Sequence, residues 1–464
     1  MKRLGILFLL AALTLMLIPA AAPTAAQGIT IRWVINYNGS SIPANAEAHI
    51  EAAGGQLVRT IPQVRLAIAV SDNPSFASTM KGMARVHSVG EVPAMSVPEL
   101  IVIPAELNPD MVPDPPAALW DLLWGIARVN APAAWDAGIT GSHNTVVAVI
   151  DTGIASNHPD VGPNLLFNAC IVSTGDHTTG ACTPYPSLSF HGTHVAGTVA
   201  ANFGGGVVGV GPNLGLANYN VFELFEIEPG VFAVLASFDS VWAAMIDAAD
   251  QGFDVINMSL GAIGDFRGPD GSAPFFMATQ RVANYVNQQG TFIVASAGNA
   301  NLDLNGPLFN LPGGAPGIVN VGATGIRPDP VYPQPDAYDV RAFFSNFGAA
   351  VTLVAPGGDC GLPDSCNPAT RPANWFNYLV LSAFVAPNVT CAATQSCPVG
   401  WAFAGGTSMA APHVAGVAGL MRDQNPNLSP NQMEAILKQT AEGLGDRQQF
   451  GHGMVDAYAA ATRR

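Results

Sequence analysis

From residue 146 onward the chain alternates short apolar runs with segments of helical period, and this rhythm constrains the fold more than any other feature. Candidate strands are residues 146–150, 216–222, 255–258, 292–295, 318–321 and 351–354; candidate helices are 192–201, 240–251, 278–289, 408–423 and 430–443. Strands that are apolar along their whole length are buried on both faces, and helical connections between them make them parallel. The expected class is therefore α/β, a mostly parallel sheet with helices on both faces. The last helix carries a complete start signal, with Ser429 as cap, Pro430 first and Gln432 in the capping-box place.

The preceding residues read differently. Strands at 29–36, 56–61, 65–70 and 85–92 and helices at 43–53 and 74–83 give the order of a split βαβ unit, a small α+β domain of ferredoxin-like type. Residues 104–116 then hold five prolines with Asn108, Asp110 and Asp114 between them, the composition of an exposed linker open to proteolysis. Residues 1–26 run from Lys2 and Arg3 through apolar Leu4 to Ile18 into small residues, with cleavage points after Ala22 or Ala26. That is the pattern of an export signal. An uncleaved anchor helix is the alternative, weakened by Pro19 and by an apolar run short of the roughly 20 residues that span a bilayer. The chain is expected to be secreted, without stable membrane insertion.

Composition narrows the partners. A formal charge of −15 with only 18 Lys plus Arg gives no basic face for phosphates, so a nucleic-acid partner is not expected. At 464 residues and 49% apolar content, burying a core presents no difficulty. The six cysteines of an exported chain favour disulfides; sequence neighbours give the simplest pairing, Cys170 with Cys182, Cys360 with Cys366 and Cys391 with Cys397.

Three segments carry chemistry. Val146-Val147-Ala148-Val149-Ile150-Asp151 places an acid at the end of an apolar strand. His191-Gly192-Thr193-His194 opens a helix with a histidine. Gly405-Gly406-Thr407-Ser408-Met409-Ala410-Ala411-Pro412-His413 sets a serine at a helix start, where unpaired N–H groups favour a nearby negative charge. Together they make a nucleophile, a base and an orienter. Taken singly, each has a plainer reading: Asp151 and Asn299 as turn residues, His191 as a helix start, Ser408 as an N-cap. Four such coincidences in order are improbable.

These segments resemble the subtilisin-like serine peptidases, over about residues 118–464, and the order Asp, His, Ser is the one known for subtilisin. Ala295-Ser296-Ala297-Gly298-Asn299 resembles that family's strand ending in the oxyanion-hole asparagine, and Asn257-Met258-Ser259-Leu260-Gly261 its substrate-backbone strand. The resemblance implies catalytic roles for Asp151, His191, Ser408 and Asn299. It implies that Ser259, Leu260 and Gly261 pair with the substrate backbone, that Ser296, Ala297 and Gly298 wall the pocket, and that Asn310 lies near its floor. It also makes the small domain an inhibitory propeptide, giving a signal at 1–26, a propeptide at 27–103, a linker with the maturation cleavage at 104–117 and a catalytic domain at 118–464. Protein or peptide substrates, the chain's own propeptide as inhibitor and a monomeric state follow.

No cofactor is required on this reading. Calcium for stability is allowed by resemblance at Asp160 and Asn202, although the loop after Asn202 is short and offers few oxygens. Gly204 to Gly209 satisfies G-x-G-x-x-G, but Pro212 follows and no helix opens there, which argues against a nucleotide. Two other classes stand beside the peptidase: a catalytically idle peptide-binding protein on the same scaffold, and a metal-dependent hydrolase using Asp151, His191 and His194.

Overall fold

The computed structural model describes residues 31–97, 101–105, 117–172, 183, 185–186, 188–228, 231–266, 272–326, 339–360, 375–387, 391–392 and 394–463. The expected export signal and most of the linker lie outside them.

The N-terminal domain has the expected order: β1 (Arg32–Tyr37), α1 (Ala46–Ala52), β2 (Gln56–Ile61), β3 (Leu66–Val70), α2 (Phe76–Lys81) and β4 (Val86–Glu91). Its strands form an antiparallel sheet ordered β2-β3-β1-β4. Side chains alternate across a strand. Ile35, Ala67 and Ala69 accordingly pack with Ile50, Phe76 and Met80 of the domain's own helices, while Val34, Leu66 and Ile68 belong to a second cluster on the other face.

Two further strands, β5 (Ala94–Ser96) and β6 (Ile101–Ala105), were not expected from sequence. Pro93 and Pro98 flank the first and Pro104 lies in the second. Both are edge strands, where a missing ladder donor is tolerated.

The catalytic region opens with α3 (Trp124–Arg128), α4 (Ala131–Asp136), β7 (Val146–Asp151), β8 (Leu165–Cys170), α5 (His191–Ala200) and β9 (Gly215–Asn220). It continues through β10 (Glu223–Glu228), β11 (Val231–Ser237), α6 (Phe238–Asp250), β12 (Val255–Met258), β13 (Ala262–Gly264), α7 (Ala273–Gln288) and β14 (Phe292–Ser296). Then follow β15 (Phe309–Leu311), β16 (Val319–Gly325), β17 (Val340–Arg341), β18 (Leu353–Pro356), β19 (Val380–Val385), β20 (Val399–Gly405), α8 (Thr407–Gln424) and α9 (Pro430–Thr440). The central sheet has eight strands in the order β17-β16-β14-β12-β7-β9-β8, with β18 beside β16, and every pair except β16/β17 is parallel. Helix α8 is buried from Thr407 to Arg422 and packs against β12, β14 and β16 from one side, while α6 and α7 pack together on the other. This is the anticipated α/β architecture, and the capping box of Ser429 and Gln432 is formed.

Cys391 and Cys397 are bonded, with Cα atoms 4.8 Å apart. Cys170 and Cys360 are also in disulfides; their expected partners, Cys182 and Cys366, lie outside the described residues.

The second face of the N-terminal sheet rests on α6 and α7, sharing a cluster with Phe238, Trp242 and Phe275. Charge fastens the contact. Asp239, fully buried near the start of α6, accepts from Arg32 Nε at Oδ1 (3.0 Å) and from Arg32 Nη2 at Oδ2 (3.3 Å), while Arg59 Nε lies 3.7 Å from Oδ2. Arg59 also donates to the carbonyls of Asp239 (3.2 Å) and Val172 (2.6 Å). Asn36 donates to the Pro274 carbonyl and Arg281 to that of Tyr37.

Candidate active site

Parallel strands open a crevice beyond their carboxyl ends, and the site residues sit there. Asp151 is the last residue of β7, Ser296 the last of β14, and Ser259 follows β12 directly. His191 is the first residue of α5.

Asp151 and His191 meet at 2.7 Å, carboxylate Oδ1 to imidazole Nδ1, with both side chains about 1% exposed. The same oxygen accepts from the Thr152 N–H at 2.7 Å. A carboxylate so placed makes Nδ1 the protonated nitrogen and leaves Nε2 to accept. Nε2 is buried without a hydrogen-bond partner. The close approach depends on Gly192: a Cβ there would stand 2.5 Å from the Gly153 carbonyl oxygen and 3.2 Å from the Asp151 Cβ. Thr152 closes the corner, its hydroxyl accepting from Gly192 N–H at 2.9 Å.

Ser408 is the second residue of α8, a position whose N–H has no carbonyl one turn back to bond. Its Oγ donates to the Ser259 carbonyl at 3.1 Å, not to His191. A second bond between the two serines has its cause one turn on. Pro412 lacks the N–H that would bond the Ser408 carbonyl in a regular helix. The Ser259 hydroxyl supplies the missing donor at 2.8 Å and is itself held by Asn257 Nδ2 at 3.1 Å. Ser259, expected only as a substrate-backbone residue, is thus bonded to the main chain of Ser408.

Asn299 follows β14. Its Oδ1 accepts from Thr407 N–H (2.8 Å) and Thr407 hydroxyl (2.7 Å), which fixes the amide so that Nδ2 is left to donate. Asn299 and Ser408 are bridged by the residue between Gly406 and Ser408. Of the expected pocket wall, Ser296 and Ala297 are buried and Gly298 is half-buried; Asn310 Nδ2 donates to the Ser296 carbonyl at 2.7 Å. Asn346, which no sequence signal singled out, does the same for Ala297 at 2.8 Å. Asn310 lies on β15, which pairs with β13, and a Cβ on Gly261 would stand 2.9 Å from Asn310 Oδ1. Ser259, Leu260, Gly261 and the residues around Asn310 therefore share one wall.

His194 and His413 stand apart from this chemistry. His194 Nε2 meets the Ala402 carbonyl at 3.0 Å and His413 Nδ1 the Met409 carbonyl at 2.8 Å. Burial pushes the first down to about 3, helped by His191 and His413 nearby, and the second down to about 4, so both imidazoles are neutral. Among the described residues no three His, Cys, Asp or Glu side chains gather as a metal set, and His194 faces β20 rather than Asp151.

Asp160 Oδ2 accepts from Gly206 N–H (3.1 Å), Val207 N–H (3.0 Å) and Trp401 Nε1 (2.7 Å), while its Oδ1 is buried without a hydrogen-bond partner among the described residues. Asn202 contributes its backbone N–H to the Asp160 carbonyl.

With that geometry in place, comparison with known proteins is direct. The subtilase family model matches residues 142–453. M-protease of Shouchella clausii (strain KSM-K16) is 33% identical over 338 residues, covering 73% of this chain and 69% of that protein. Subtilisin Savinase of Lederbergia lenta is 33% identical over the same length, 73% of this chain and 97% of its own. Among solved structures, fervidolysin from Fervidobacterium pennivorans, a keratinolytic enzyme related to subtilisin, superposes with a TM-score of 0.68 at 23% identity, over 94% of this chain and 61% of that one. The epidermin leader peptide processing serine protease of Staphylococcus aureus gives 0.66 at 21% identity, over 94% and 100%. At those identities the two structures speak for the fold alone. No helix among the described residues is long and apolar enough to cross a membrane. The family match and the relatives together make this chain a member of the subtilase family, a subtilisin-like serine peptidase.

Proposed function

We propose that the chain is an exported endopeptidase, made as a precursor, that cleaves protein substrates through an acyl-enzyme on Ser408. The buried 2.7 Å contact between Asp151 and His191 carries this reading, because it orients an imidazole whose Nε2 has nothing else to bond. His191 takes the Ser408 proton as Oγ attacks the carbonyl, then returns it to the leaving amine. For that step the hydroxyl turns from the Ser259 carbonyl toward His191. Asp151 holds the tautomer and stabilises the imidazolium. Asn299 Nδ2 and the Ser408 N–H receive the developing oxyanion; in subtilisin, loss of the asparagine donor costs about 10²–10³ in turnover.

Substrate main chain lies along Ser259, Leu260 and Gly261, with the side chain ahead of the scissile bond between Ser296, Ala297, Gly298 and Asn310. Among the described residues no acid lines that wall, which favours neutral or apolar side chains there. The N-terminal domain, 27–103, acts as inhibitor, and cleavage within 104–117 releases the catalytic domain, 118–464, as a monomer. The pairing of β5 with β11 supports this, since it attaches the N-terminal chain to the catalytic region as an added strand. The charge-hydrophobe-small pattern of residues 1–26 and the disulfides support secretion.

The test is to express the chain without residues 1–26 and follow casein hydrolysis with intact mass, with and without a fluorophosphonate. Hydrolysis that is lost on single labelling of Ser408, together with a mass drop of the N-terminal domain, is the expected result. A folded, unlabelled and unprocessed protein would instead be the idle binding protein.

A further inference from the structure

Residues 297 to 302, which carry Asn299, lie beyond the end of β14 and outside any strand or helix. Their main-chain groups need partners from elsewhere in the fold. Asn346, between β17 and β18 and 1% exposed, supplies most of them. Its Nδ2 donates to the Ala297 carbonyl at 2.8 Å and its backbone N–H to the Gly298 carbonyl at 3.0 Å. Its Oδ1 accepts from Ala300 N–H at 3.1 Å and from Leu302 N–H at 2.9 Å. Two of these bonds fall before Asn299 and two after it.

The Asn346 amide fits in one orientation. Two N–H groups point at its oxygen and a carbonyl at its nitrogen, so turning it end for end would set donor against donor twice. Gly298 allows the close approach: at φ +96° it has no Cβ, and one built there would stand 2.6 Å from Asn346 Nδ2.

Asn299 is thus held at two levels by two residues. Thr407 takes its side-chain Oδ1 and leaves Nδ2 to donate. Asn346 fixes the main chain on either side. A side-chain rotamer is set relative to its own backbone, so the direction of Nδ2 depends on both holds.

We infer that Asn346 is a positioning residue for peptide hydrolysis: through the main chain flanking Asn299 it aims the Asn299 amide at the developing oxyanion. The inference rests on the endopeptidase reading, in which Asn299 receives that charge. An interaction made in the transition state alone shows in kcat, whereas support of the pocket wall at Ala297 and Gly298 would show in KM.

The experiment measures p-nitroanilide hydrolysis by the processed enzyme, with kcat expressed per active site titrated by a fluorophosphonate, so that unfolded molecules are not counted. The variants are Asn346→Ala, Asn299→Ala and the two combined. Asn346→Ser, which keeps a donor and an acceptor on a shorter arm, is made alongside, alone and with Asn299→Ala. Asn346→Ala is expected to lower kcat about tenfold with KM within about twofold, a part of the 10²–10³ that a whole oxyanion donor is worth. Asn346→Ser should lose less. In the Asn299→Ala background either change at Asn346 should alter kcat by less than about twofold, because no amide remains to be aimed. The same loss in both backgrounds, a raised KM with kcat kept, or an unchanged kcat per site in both Asn346 variants would each overturn the inference. Absence of hydrolysis by the parent enzyme, with Ser408 unlabelled, would instead overturn the peptidase reading beneath it.

Discussion

The N-terminal domain and the catalytic region bury apolar surface in opposite ways. In the catalytic region the parallel strands are closed on both sides by helices of the same region: Val147 and Val149 face one cluster, Ala148 and Ile150 the other. In the N-terminal domain only one face of the sheet is closed internally, by α1 and α2. Val34, Ile61, Val64, Leu66 and Ile68 of the other face are buried only because α6 and α7 cover them. The same alternation that lets a two-faced sheet pack on a second body leaves it incomplete alone. Its fastening is correspondingly ionic, with a buried carboxylate on one body and two arginines on the other.

The sharpest break of this comparison is to separate the bodies. Residues 31–97 produced alone are expected to show no cooperative thermal or urea transition, because a small domain that exposes one whole sheet face falls below the burial it needs. Mixing with processed enzyme should restore amide-exchange protection to β1 and β3. A fragment that unfolds cooperatively by itself would show that its own helices suffice. Next in size is the ionic fastening. Asp239→Ala removes the partner of Arg32 and Arg59 at a fully buried position, a loss of about 3–5 kcal/mol for a broken buried pair. The inhibition constant of the N-terminal fragment should rise about 10²–10⁴-fold. Hydrolysis by the variant without inhibitor should be unchanged, and a shift of less than threefold would make the clamp incidental to affinity.

How far the sequence was legible follows the same division. The central strands were readable since each is mostly apolar, with β7 and β14 nearly continuous runs, and the three motif segments since each keeps its chemistry within a few residues. Strand β8 was missed because it is an edge strand, half exposed, with the weak alternating pattern of Leu165 to Cys170. Strands β5 and β6 were hidden by their prolines. Harder still were contacts between distant residues. Asp160 and its partner Trp401 lie 241 positions apart, and Arg32 and Asp239 lie 207 apart. Nothing local marks Asn346 or the two arginines, because their roles exist only once the pieces are packed.

A third prediction turns on two buried neutral histidines of the catalytic region. His194 and His413 have folded pKa values near 3 and 4, below the 6.5 of an unfolded histidine. Between those limits the unfolded chain binds more protons than the folded one, so stability is full above pH 6.5 and is lost as pH falls. Each group contributes a slope of about 1.4 kcal/mol per pH unit in that window. Urea unfolding of the Ser408→Ala protein at several pH values between 7.5 and 4.5 should show this fall. His413→Asn, which keeps a donor for the Met409 carbonyl, should remove its share of a histidine slope to which His194, His158 and His452 also contribute, whatever it does to stability at pH 7.5. An unchanged slope would place the acid sensitivity elsewhere.

The smallest effect is the most local. Ser259→Ala leaves the buried Ser408 carbonyl with neither a helical donor, because of Pro412, nor a hydroxyl. An unsatisfied buried acceptor costs about 1–3 kcal/mol, and the variant should be less stable by that amount. Pro412→Ala restores the N–H one turn along α8, so the double variant should recover part of the loss, and the coupling energy measures the shared carbonyl. The cycle is run in the Ser408→Ala background, before and after removal of the N-terminal domain. Equal coupling in both would mean that the nucleophile's main chain is satisfied entirely within the catalytic region. A coupling that vanished on removal would mean instead that the docked N-terminal domain holds this corner, and the contrast between the self-sufficient and the dependent body would fail at the site where it matters most for catalysis.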